Sequence, residues 1–172
     1  MLRFKEIRKS VGELLEQARV RRPPVPVEKI AQGIGLTIRY APADEEVSGA
    51  LIRRGKEVII GVNSRHHPNR RRFTIAHELG HFRLHRGVAI HIDEDFRVNL
   101  RDEDSSKGVS WEEVEANRFA AELLMPTGFL FQDVEKFKNI DKQAVQNLAR
   151  RYRVSSQSME IRLANLGFTP RV

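Results

Sequence analysis

The chain has 172 residues, 40% hydrophobic and 31% charged, a balance that suits one globular domain or a domain with a small helical appendage. It contains no cysteine, which excludes disulfides and thiolate metal sites, so any bound metal must be held by His, Asp or Glu. The net charge of +7 admits nucleic acid or an acidic partner, yet its basic residues are dispersed apart from residues 19–22 and 70–72, and a solvated cationic face is the commoner explanation.

Residues 4–18 read as an amphipathic helix, with Phe4, Ile7, Val11, Leu14 and Leu15 at helical spacing and no signal-peptide core. No stretch approaches a membrane span, and the expected location is the cytoplasm. The proline-rich residues 21–26 end that helix, and a short one follows at 27–32, closed by Gly33 and Gly35. Residues 36–40 are β-rich, and 48–52 with 57–62 flank Arg53-Arg54-Gly55-Lys56 as a hairpin. A longer helix is predicted over 68–85, with Pro68 acceptable in its first turn. The polar residues 91–108 read as a surface loop, 111–125 as a helix stopped by Pro126, and 142–152 with 156–166 as two more helices. The expected fold is α+β: a small antiparallel sheet packed beside a helical metal-binding core over residues 1–130, with a helical segment over 131–172.

The run Phe73-Thr74-Ile75-Ala76-His77-Glu78-Leu79-Gly80-His81 carries the chemistry. Two histidines four apart on a helix project from one face, about 6 Å along the axis, and both can reach one zinc. Glu78 follows the first of them, where a carboxylate can take a proton from metal-activated water and pass it to a departing amine. Ile75, Ala76, Leu79 and Phe82 imply a buried setting, in which His77, Glu78 and His81 would be costly unless something paired with them. Gly80 costs about 1 kcal/mol against alanine inside a helix, which predicts a close neighbour.

A third ligand is needed. His85 is about 12 Å along the axis from His77, too far to converge, and reads as a surface residue or one supporting a ligand from behind. His91 and Asp93 stay open. The helix over 111–125 is the better source: Glu113 and Asn117 share a face, so Glu113 can ligate while Asn117 orients a histidine. Ser110-Trp111-Glu112-Glu113 is also a capping box, although the ligand role of Glu113 is favoured, and Glu115 is the next ligand candidate.

With Glu113-Val114-Glu115-Ala116-Asn117-Arg118-Phe119-Ala120-Ala121-Glu122-Leu123-Leu124-Met125-Pro126 beside the His77 block, the chain resembles the ImmA/IrrE family of metallo-endopeptidases over residues 25–130. The resemblance implies His77, His81 and Glu113 as zinc ligands and Glu78 as the catalytic residue. It also implies a protein substrate, typically a helix-turn-helix repressor whose cleavage relieves repression of mobile-element or stress-response genes.

The rival reading is a DNA- or protein-binding regulator, toxin–antitoxin-like, whose metal site is structural or sensory. The last two helices could form a helix-turn-helix with Arg150, Arg151, Arg153 and Arg162 on phosphates, although a helical pair packed on the catalytic domain is favoured. Glu78 favours the enzyme, since a closed structural site gains nothing from an adjacent base. A substrate peptide could pair beside residues 57–62, and Tyr40, His91 and Tyr152 are candidates for stabilising an oxyanion.

Overall fold

A computed structural model describes residues 3–85, 90–94 and 110–168. The N-terminal helix α1 (Phe4–Gln17) buries Ile7, Val11 and Leu14, the stripe its spacing predicts. α2 (Val27–Gly33) leads into β1 (Thr37–Ala41), and β2 (Val47–Arg54) with β3 (Glu57–Asn63) form the expected hairpin. Its turn pairs Arg54 with Glu57 across Gly55, at φ +62, and Lys56.

The fold is α+β as expected, but the sheet is mixed rather than antiparallel, in the order β1-β3-β2-β4. β1 lies parallel to β3 because residues 42–46 cross the end of β3 before β2 begins. Asn63 pins that crossing: its Nδ2 donates to the carbonyls of Asp44 and Val47, both at 2.9 Å, and its Oδ1 accepts from the Ala43 N–H. β3 is therefore flanked on both sides, and residues 57–62 cannot accept a substrate strand.

The fourth strand, β4 (Ile90–Glu94), replaces the start of the expected loop; residues 95–109 lie outside the described ones. It pairs antiparallel with β2 and sets His91 opposite Leu51. Opposite residues of an antiparallel pair share a face, and Leu51 is fully buried, so His91 points toward the helices.

α3 (Pro68–Leu84) begins with the His67 Nδ1 accepting the Asn69 N–H at 3.2 Å. It runs between β2, β3 and α4 (Trp111–Leu124), and every residue from Phe73 to His81 is buried. Gly80 explains how two helices come so close. A Cβ there would stand 3.1 Å from the Ala116 Cα and 3.2 Å from the Ala116 carbonyl oxygen, which are backbone atoms and cannot swing away. Gly80→Ala should therefore lower the melting temperature despite the gain of about 1 kcal/mol in helix propensity, and calorimetry that found it raised would refute the close-approach account.

α5 (Thr127–Val134) is a helix absent from the sequence expectation, followed by α6 (Lys142–Tyr152) and α7 (Ser156–Asn165). One apolar cluster joins both sides of residue 130, with Leu148, Tyr152, Met159 and Leu163 in the same core as Leu79 and Leu123. Two of the four arginines considered for phosphate contact face other work: Arg151 pairs with the buried Asp133, and Arg162 with Glu122. No helix among the described residues is long and apolar enough to cross a membrane.

Candidate functional site

The middle of α3 presents its two histidines on one face because they are four apart, and α4 presents Glu113 from its first turn. The two imidazole Nε2 atoms stand 3.0 Å apart. Glu113 spans them, Oε2 3.2 Å from the His77 Nε2 and Oε1 3.2 Å from the His81 Nε2. From β4, the His91 Nε2 comes within 3.3 Å of the Glu113 Oε1. All four donor atoms lie within 4.8 Å of one another.

Ser110 Oγ accepts the Glu113 N–H at 3.3 Å, so the serine caps the helix, while the Glu113 carboxylate turns to the histidines. Glu115 faces elsewhere, toward Arg3 and His85. His91 joins the cluster although its segment was expected to be a loop. Tyr40 donates to Glu28 and is half-exposed, and the buried Tyr152 donates to Asp133, so neither stands in this cluster. The side chain of Asp93 lies outside the described residues.

The donor set fits a metal ion. Tetrahedral ligands at 2.0–2.1 Å from zinc lie about 3.3–3.4 Å apart, close to the spacings here. The outer ring nitrogens are already occupied. His77 Nδ1 lies 3.0 Å from the Asn117 Oδ1, the partnership expected from the spacing of Glu113 and Asn117. With that oxygen accepting, Nδ1 carries the proton and Nε2 keeps its lone pair. His81 Nδ1 lies 3.1 Å from the His85 Nδ1. Burial, only partly countered by Glu113, lowers the His81 imidazole to about 4, so it is neutral at pH 7. Burial alone would raise the Glu113 carboxyl, but its contacts with His77, His81 and His91 outweigh that and hold it well below the ordinary carboxylate range. An ionised carboxylate beside the neutral His81 imidazole suits a cation.

Glu78 is fully buried beside His77. Gly49 of β2 lies against the same stretch of α3. A Cβ on Gly49 would lie 2.3 Å from the Thr74 Cγ2 and 3.7 Å from the Glu78 Oε1, so the missing side chain lets α3 settle onto the strand.

No curated protein matches the chain. Among solved structures, a Mycobacterium tuberculosis transcriptional regulator is similar in fold, with a TM-score of 0.60 and 17% identity over 93% of this chain. The chain spans 46% of that protein's length. The IrrE N-terminal-like domain, a peptidase family, matches residues 31–164, a span that takes in both the His77 and Glu113 blocks and most of the C-terminal helices. The chain belongs to that family.

Proposed function

We propose that this protein is a zinc-dependent endopeptidase of the cytoplasm that cleaves a helix-turn-helix transcriptional repressor. The observation that carries the reading is the convergence of His77, His81 and Glu113 beside the buried Glu78. His77, His81 and Glu113 would hold the ion through Nε2, Nε2 and a carboxylate oxygen. A bound zinc supplies a Lewis acid that acidifies water and polarises a peptide carbonyl. Glu78 takes the attacking water's proton at a carboxylate oxygen and returns it to the amide nitrogen as that nitrogen leaves. Asn117 holds the proton of His77 on Nδ1, which keeps the ring in its binding tautomer. The repressor as substrate draws on the family and on the similar solved structure, a transcriptional regulator.

A second reading, a DNA- or protein-binding regulator with a structural or sensory metal, is favoured by His91. Were His91 a fourth ligand, protein atoms would close the tetrahedron and leave no position for water. One experiment separates the two. Purified protein is expected to hold about one zinc per chain and to cut a purified helix-turn-helix repressor, with chelation abolishing cleavage and zinc restoring it. Metal retained without cleavage of any repressor tested would favour the regulator, and absence of metal would sink both.

A further inference from the structure

Behind the cluster, three residues from three elements form a chain that ends on His81. Arg3, at the start of α1, donates from Nη2 to the Glu115 Oε2 at 2.7 Å and from Nε to Oε1 at 3.2 Å. The same Nη2 reaches the carbonyl of Leu84 at 3.3 Å, tying the arginine to the end of α3. Glu115, buried on α4, accepts from the His85 Nε2 at 3.1 Å. The His85 Nδ1 then meets the His81 Nδ1 at 3.1 Å.

Proton accounting along this chain has one neutral solution. An ionised carboxylate only accepts, so the His85 Nε2 must carry a hydrogen. When His85 is neutral, its Nδ1 is bare and accepts from His81. The His81 proton is thereby placed on Nδ1, and its Nε2, 3.0 Å from that of His77, keeps a lone pair. Without the chain, His81 is free to put its proton on Nε2, where it would block an ion. Arg3 gripping both oxygens of Glu115 stops the carboxylate from rotating away.

We propose that Arg3, Glu115 and His85 are positioning residues that fix the tautomer of His81, a role that rests on the metal-site reading above. The relay reaches through two hydrogen bonds what Asn117 does for His77 in one. It also makes the first turn of α1 part of the site's support, although Arg3 is 112 residues from Glu115 in sequence.

The test compares His85→Leu, which breaks the relay, with His85→Gln, whose amide oxygen can accept from His81 and whose amide nitrogen can donate to Glu115. Zinc affinity of the full chain, measured by competition with a chromophoric chelator, is expected to fall ~10- to 100-fold in His85→Leu and to stay within about threefold of wild type in His85→Gln. Glu115→Leu, which leaves His85 in place, is expected to weaken zinc at least about tenfold. Long-range nitrogen–proton spectra of the metal-free protein read the tautomer directly: Nδ1-protonated His81 in wild type, a mixture in His85→Leu. Wild-type affinity in His85→Leu would overturn the relay. So would a His85→Gln as weak as the leucine variant, or an unchanged His81 tautomer in His85→Leu. Because the spectra need no zinc, a wild type that bound no metal would refute the metallopeptidase reading while the tautomer test still stood.

Discussion

Replacing Glu78 by Gln is expected to lower repressor cleavage by ~10²–10⁴-fold and to leave the zinc content of the protein unchanged. The amide fills the same space beside Gly49, so the packing of α3 on β2 should survive. What it loses is the ability to take a proton from water and return it to the leaving amine. The ion would still be held, because the proposed donors are His77, His81 and Glu113, not Glu78. The measurement is elemental analysis beside a cleavage time course for both proteins. A Glu78→Gln variant that cut as fast as wild type would remove Glu78 from the mechanism. One that had lost its zinc would make Glu78 a ligand.

The parts of this site that were legible in the sequence are those whose spacing is local. His77 and His81 lie four apart on one helix, and that geometry survives in the structure without change. Gly80 announced a close neighbour by its cost alone, and the backbone of Ala116 is that neighbour. Asn117 was placed by its spacing from Glu113. What stayed hidden depends on contacts between distant residues. β4 has few residues and sits in a polar stretch, so only its pairing with β2 makes it a strand and turns His91 inward. β1 runs parallel to β3 because residues 42–46 cross the end of that strand, where Asn63 pins them, and no pattern within either strand reports this. Arg3 could not have been connected with Glu115 from sequence, since nothing but the fold brings them together. The helix α5 was missed for a related reason: its start follows Pro126 directly, and its cap comes from the helix before it.

That cap leads to the largest stability effect expected. Glu122, near the end of α4, accepts from the Thr127 N–H at 3.1 Å and from its hydroxyl at 2.9 Å, so a side chain of one helix caps the next. Its remaining charge is met by Arg162 of α7, which also donates to the Met125 carbonyl at 3.1–3.2 Å and to the Thr127 hydroxyl oxygen at 3.0 Å. Both side chains are 11% exposed, so this is a buried pair that also satisfies the orphan carbonyl at the end of α4. Arg162→Ala removes one partner and leaves a buried carboxylate without its counter-charge, at a cost of about 3–5 kcal/mol. For a chain of this size that is a fall in melting temperature on the order of 10 °C. Arg162→Met with Glu122→Gln removes both charges and keeps an amide oxygen for Thr127, so it should regain much of the loss. If Arg162→Ala melted with wild type, the ion pair would contribute little, and the apolar contacts of Met159 and Leu163 would be what holds α7 on the core.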